Sequence, residues 1–296
     1  MRQGSRTMAS PNPQNTVRAR PLAPADSDQA IACLTRNFPA TDAAYWRRGW
    51  ERLAARARPG DPPILGHCLE ADGAIVGVLL MIYSARGEGA GRTIVANLSS
   101  WCVDPPYRAL SGGLAAAATR DKSVVYVNIS AAPHTRAGVE AQGYRRTNAG
   151  QFLFAPALAK RAQGARARPF DAARAEPGLA EEERALLSDH AALGCRAFVV
   201  DCDGRSYGFA TVGERVLRGK LPCDLVVHCG GLDRLARFAG ALGRDMRLKL
   251  LIVDAPGPIP GLVGKFIAGR NPRYAKGPGQ LDLGDLAYTE RVYLAT

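Results

Sequence analysis

The chain has 296 residues, 47% hydrophobic and 22% charged, with 32 Gly and 20 Pro. That is too apolar for a disordered chain and too aperiodic for a collagen-like one, and roughly 150 residues per domain leaves room for two modest domains or one large one. Of the formal charge of +12, ten units lie before residue 179 and the last third is nearly balanced, which argues against a uniform basic coat for duplex DNA and leaves a small polyanion as a candidate partner.

Residues 1–15 are rich in Ser, Asn, Pro and Gln and read as a mobile tail. A first strand is expected over 17–22, ended by Pro24; Asp26 or Ser27 then caps a helix whose Ile31, Leu34 and Phe38 recur at helical spacing. A second helix over 43–57 carries Trp46, Trp50 and Leu53 along one stripe, a pattern of core packing. Residues 64–70 and 74–83 read as antiparallel strands joined at Ala71-Asp72-Gly73. A strand over 93–103, a helix over 112–120, a strand over 124–129, a helix over 135–141, a turn at Gly143-Tyr144 and a strand over 151–154 complete the first half.

Residues 157–178 have no apolar periodicity and read as a basic linker between a domain over 16–156 and a second over 179–296. The second half is expected to hold a helix at 181–189, a hairpin of 196–201 with 206–212, a strand at 224–228, a helix at 232–242 and a strand at 248–253. A helix end with a turn over 266–274 and a closing strand over 287–294 follow. The motif D-G-x-x-x-G occurs at Asp72 and again at Asp203, at the same place in each hairpin, so the architecture reads as doubled.

The first residues lack the apolar core of a secretory signal, and the longest apolar stretch, near 75–83, is far shorter than a membrane helix. Seven scattered cysteines form no C-x-x-C pair and the four histidines are isolated. No metal is expected, and the reading is a cytoplasmic protein with reduced thiols and no membrane partner.

Chemistry concentrates between Leu98 and Leu114. A strand ends at Val103, a Pro-rich turn and Arg108 follow, and Ser111-Gly112-Gly113 opens a helix. Small residues let a ligand approach the backbone, and the free N–H groups and dipole of a helix start favour an anion.

This stretch resembles the GNAT acyltransferases, whose pyrophosphate loop reads [QR]-x-x-G-x-[GA]. Arg108 and Gly113 fit that pattern, with Ser111 in place of its first Gly, and Val103-Asp-Pro-Pro-Tyr-Arg108 is similar to the V-x-P-x-Y-R that leads into it. Asn128 and Gly143-Tyr144 look like further family features, so the resemblance covers about residues 17–156. It implies an α+β fold with a mixed, mostly antiparallel central sheet flanked by helices, and two tandem GNAT-like halves, the second degenerate.

The resemblance also implies acetyl-CoA or another acyl-CoA as co-substrate, a small-molecule or peptide acceptor, and direct attack on the thioester. An N–H near Val103 would take the acyl carbonyl, and the Ser111, Gly112, Gly113 and Leu114 amides the pyrophosphate. Asn128 would help bind the coenzyme. Candidate catalytic groups are His134, which can titrate near neutrality, one of Ser99 and Ser100 on the central strand, and Glu70 at a strand end that often supplies the family's base. Each also has a bland reading as a solvated polar residue. The Tyr that often protonates the leaving thiolate is replaced by Val139, which keeps open a non-catalytic acyl-CoA-binding or interaction protein of the same fold. A nucleic-acid binder rests on the charge alone.

Overall fold

The computed structural model describes residues 17–56, 65–87, 92–279 and 281–294. The tail expected over 1–15, the end of the second helix at Ala57 and the strand start at Ile64 lie outside the described residues. In chain order the first half gives β1 (Val17–Pro21), α1 (Ser27–Asn37), α2 (Ala43–Ala55), β2 (Gly66–Ala71), β3 (Ala74–Arg86), β4 (Thr93–Val103), α3 (Ser111–Ala118), β5 (Val125–Asn128), α4 (Arg136–Ala141), β6 (Arg145–Arg146) and β7 (Gly150–Phe154). The second gives β8 (Arg166–Pro169), α5 (Glu181–Ala192), β9 (Arg196–Cys202), β10 (Arg205–Val216), β11 (Leu221–His228), α6 (Leu232–Asp245), β12 (Leu251–Ala255), β13 (Gly264–Ala268), β14 (Tyr274–Lys276) and α7 (Glu290–Tyr293).

Two seven-stranded, mostly antiparallel sheets result, in the orders β1-β2-β3-β4-β5-β14-β6 and β8-β9-β10-β11-β12-β7-β13. Numbered within its own half, each sheet reads one to five in sequence, with the sixth position filled by the other half's strand and the seventh by its own sixth strand. The last strand of the first half, β7, lies between β12 and β13, and β14 of the second half lies between β5 and β6. The halves have exchanged their closing strands.

Four expectations are corrected by this arrangement. The strand near 151–154 belongs to the second sheet, so a boundary at 156 cuts through hydrogen-bonded structure. The expected linker over 157–178 supplies β8, an edge strand paired with β9. Its two Arg residues, Arg166 exposed and Arg168 half-buried in ion pairs, hid it from a search for apolar alternation. The segment near 266–274 begins as strand β13, paired with β7 from Gly264–Phe154 to Ala268–Gly150. Finally, 287–294 is not a strand: Val292, Tyr293 and Leu294 are all buried in succession, and a helical turn, α7, packs this run against α2.

Local chemistry accounts for the shared frame. Asp72 and Gly73 have φ of 49° and 81°, and Asp203 and Gly204 of 52° and 73°, the paired positive values of a two-residue hairpin turn. Strand β3 reads as one apolar run because both its faces are covered. Val76, Leu79 and Met81 pack toward α3 and α4, and Ile75, Val78, Leu80 and Ile82 toward α1 and α2. Trp46 and Trp50 lie in that second cluster, in the core. Residues 156–160 lie across α6, where a Cβ on Gly243 would come within 2.2 Å of the Ala157 nitrogen. No described helix is long and apolar enough to cross a membrane.

Candidate active site

Strands β4 and β5 pair in parallel only from Val95–Val125 to Leu98–Asn128. Beyond Leu98, β4 runs on to Val103 without that partner, so a gap opens between the two strands. Within it, Ser100 and Trp101 together face Leu79, between the pairs Leu80–Ser99 and Val78–Cys102. Ser100 has φ of 51°. This is a bulge that turns the strand and re-aims its backbone.

From the bulge a cleft of about 710 Å3 runs to the start of α3. Ser99, Ser100, Val103 and Asn128 line it from the strands, Arg108, Ser111 and Gly112 from the crossover, and His134 from the loop before α4. The structure thus brings together most of the residues singled out by sequence. Arg108 is exposed and has no ion-pair or hydrogen-bond partner among the described residues. The residue before α3, Leu110, provides no side-chain cap, so the first amides of the helix are not spent on one. The Ser111 amide is engaged, donating to the Arg108 carbonyl. A Cβ on Gly112 or Gly113 would meet nothing within 4 Å. The helix start is bare, and with Arg108 it fits a diphosphate.

The crossover is anchored. The Asp104 amide donates to the Val76 carbonyl at 2.8 Å, and its carboxylate accepts from Arg36 at 2.6 Å and Asn37 at 2.7 Å, both at the end of α1. Burial pushes the Asp104 carboxyl up, but the hydrogen bonds from Arg36 and Asn37 outweigh it and hold the group below the usual carboxylate range. Asn128 is buried and accepts from the Ser130 amide at 3.2 Å. His134 is exposed in a 3-10 turn, Pro133–Thr135.

Three candidates stand apart from the cleft lining. Gly113 is one turn position further on; Leu114 is fully buried, so only its amide is available. Glu70 is the third. It accepts from Arg18 at 2.8 Å and Arg20 at 2.6 Å, and these bonds hold its carboxyl below the usual range. Its carboxylate is thus doubly paired and lies outside the cleft lining. Sequence reasoning also missed a carboxylate: Glu290, at the first position of α7, accepts from the Ser99 hydroxyl at 2.5 Å, and its amide donates to Asn97 at 2.9 Å. The expected strand over 287–294 gave no sign of it.

A larger cleft, about 1110 Å3, lies where α6 begins, lined by Arg145, Arg146 and Lys276 but also by Asp233 and Asp282. Its mixed charge and acidic helix start suit a diphosphate less well than the first cleft.

No family model matches the sequence, and no curated protein does. Solved structures do match in fold. A GCN5-related N-acetyltransferase from Anabaena variabilis superposes with a TM-score of 0.57 at 8% identity, over 88% of this chain and 72% of that one. The fold is that of the GCN5-related N-acetyltransferases. Eis1 from Mycobacterium abscessus has a TM-score of 0.53 at 14% identity, over 92% and 74% of the two chains. A GCN5-related N-acetyltransferase from Kribbella flavida gives 0.51 at 13%, over 88% and 71%. In this GNAT fold the splayed central strands and the bare start of α3 frame one continuous cleft, and the doubled sheet order extends the fold to the second half.

Proposed function

We propose that the protein is an acyltransferase that moves an acyl group, acetyl as the first expectation, from acyl-CoA to an amine or hydroxyl of a small molecule or peptide. The observation that carries this reading is the cleft itself. A gap between parallel strands leads to a helix start without a side-chain cap, beside an arginine that has no partner among the described residues.

The coenzyme would supply an activated thioester. Its diphosphate suits the amides at Gly112 and Gly113 and the Arg108 guanidinium, whose bidentate donors match phosphate oxygens. The bulge at Ser100 turns backbone polar groups of Ser99 to Val103 toward the gap, where an N–H can polarise a carbonyl. His134 and Ser100 border the same space and can orient an acceptor. Much of the rate enhancement would come from holding acceptor and thioester together, since a thiolate leaves readily.

The test is calorimetric titration with acetyl-CoA, followed by thiol release across amine and hydroxyl acceptors. Saturable binding with acceptor-dependent release supports the reading, and no binding at millimolar acetyl-CoA overturns it. Buried Val139, 2% exposed where relatives of this fold often carry an acid, favours a second reading, a coenzyme binder without turnover. Binding with no acceptor-dependent release would select it.

A further inference from the structure

The mechanism above leaves open where the acceptor's proton goes. Three side chains, two from β4 and one from α7, form a line into the protein from the bulge. Ser100 borders the cleft; its Oγ lies 3.1 Å from Ser99 Oγ, and Ser99 Oγ lies 2.5 Å from Glu290 Oε2. Ser99 is 2% exposed. The other carboxylate oxygen, Oε1, is buried without a hydrogen-bond partner among the described residues.

Donor counting gives this line a direction. A hydroxyl has one hydrogen, and an ionised carboxylate can only accept. Ser99 therefore spends its hydrogen on Glu290, and the contact between the serines requires Ser100 to donate to Ser99. That leaves the Ser100 oxygen facing the cleft with lone pairs and no hydrogen, an acceptor aimed where a nucleophile would stand. The carboxylate is fixed from behind, since the Glu290 amide donates to Asn97 on β4. Other groups packed near α7 are Tyr45, whose hydroxyl donates to the Leu294 carbonyl at 2.5 Å, and Arg52, which donates to the Tyr293 carbonyl at 3.3 Å, both from α2. On the far side the neighbouring Arg291 pairs with Glu214 of β10 at 3.2 Å. None of these contacts pairs a cation with Glu290.

We propose that Glu290 is a positioning residue and proton sink for the first half's site, acting through Ser99 and Ser100, and that the preferred acceptor is an amine. This rests on the acyl-transfer reading. The nitrogen lone pair bonds to the acyl carbon, and the electron pair of the carbon–sulfur bond leaves with sulfur. The proton from nitrogen passes to Ser100 Oγ as the Ser100 proton moves to Ser99 and the Ser99 proton to Glu290. The neutral acid then returns its proton to the thiolate through the same line or to solvent. The second half would thus act on the first half's chemistry without touching substrate.

The experiment compares the full chain with Glu290→Gln, Glu290→Asp and Ser99→Ala. Acceptor-dependent thiol release is followed against pH, acetyl-CoA binding by calorimetry, and the carboxyl bands by infrared difference spectroscopy without ligand. Glu290→Gln is isosteric and still accepts from Ser99. It is expected to lower kcat about 100-fold, the lower range for loss of a general base, to flatten the acidic limb of the pH profile, and to leave acetyl-CoA affinity unchanged. Glu290→Asp should restore part of the rate and the limb. In the spectra, the band lost in Glu290→Gln should shift in Ser99→Ala. An unaltered pH profile in Glu290→Gln, or a Glu290 band indifferent to Ser99→Ala, overturns the proposal. Wild-type protein that neither binds acetyl-CoA nor releases thiol overturns the acyl-transfer reading instead, and the infrared arm still decides whether the three groups share a proton.

Discussion

The strand-to-helix crossovers of the two halves are built alike and equipped differently. In each, a central strand carries a bulge, at Ser100 in β4 and near Val227 in β11. Each then parts from its parallel neighbour and turns into a helix. At α3 the start has no side-chain cap, Arg108 has no partner among the described residues and the cleft is open. At α6 the first turn carries Asp233. Arg234 folds back, donating to the Cys229 carbonyl at 2.6 Å and to Glu183 at 2.5 Å. Its guanidinium lies over the rings of Tyr207 and Phe209, each at 5.7 Å, and so close to Gly230 that a Cβ there would sit 1.7 Å from Nη2. The second half has put its arginine into its own packing. The topology supplies a place for an anion, and side chains decide whether it is kept.

The sharpest way to break the contrast is to give α3 the acid of α6. Gly112→Glu places a carboxylate at the helix start in open space. Calorimetry should show acetyl-CoA binding weakened at least 100-fold, about 2.7 kcal/mol, with Tm unchanged. Wild-type affinity in this variant would remove α3 from the binding site.

The reverse experiment empties the second crossover. Arg234→Ala leaves the Glu183 carboxylate with only His228, at 3.0 Å, and the Gly208 amide among its described partners, and should cost about 2 kcal/mol of stability in urea at pH 7, with acetyl-CoA affinity untouched. The cost should depend on pH. Burial raises the Glu183 carboxyl, while the hydrogen bond from His228 and the Arg234 charge outweigh it and leave it below the usual range. A depressed carboxylate stabilises the fold above its unfolded value and loses that contribution as pH falls through its folded one. Wild type and variant should therefore converge in acid, below the usual carboxylate range.

Acid should also act on both halves together. His67 in β2 and His190 in α5 are buried, and burial lowers each to about 4. The unfolded chain takes up their protons first, so stability should fall as pH drops from about 6.5 toward 4, by up to about 1.4 kcal/mol per pH unit for each group. Urea titrations of His67→Gln at pH 7 and pH 5 should show about half of this loss removed. The smallest effect is that of Arg108→Ala. It should weaken acetyl-CoA about tenfold, or 1.4 kcal/mol, reduce the salt dependence of binding, and leave Tm alone.

Much of the first crossover was legible because local chemistry favours it: Pro105-Pro106 stops β4, and the small Ser-Gly-Gly leaves the start of α3 without bulk. Hairpin turns at Asp72-Gly73 and Asp203-Gly204 were legible for the same reason. What stayed hidden depends on partners. The strand Gln151-Phe152-Leu153-Phe154 has the same pattern whichever sheet it joins. Arg166–Pro169 is an edge strand with little to bury. Whether Glu290 reaches Ser99, 191 residues away, is settled by tertiary packing of α7 on α2. Glu70 shows the same limit from the other side, since its strand-end position is visible in sequence but its pairing with the two arginines on β1 is not.

The exchange of β7 and β14 has a kinetic side. Tyr274 must find Asn128, and Leu251 must find Phe154, before either sheet is closed. Pairings across such distances close large loops and slow folding. During synthesis the first 156 residues emerge with a vacant slot between β5 and β6 and a hydrophobic strand, β7, that has no sheet to enter. A nascent chain in that state offers an unpaired edge and a strand able to fill another copy's edge. Intertwined oligomers are therefore the misfolded products this architecture favours, and prompt synthesis of the second half is what closes the route to them.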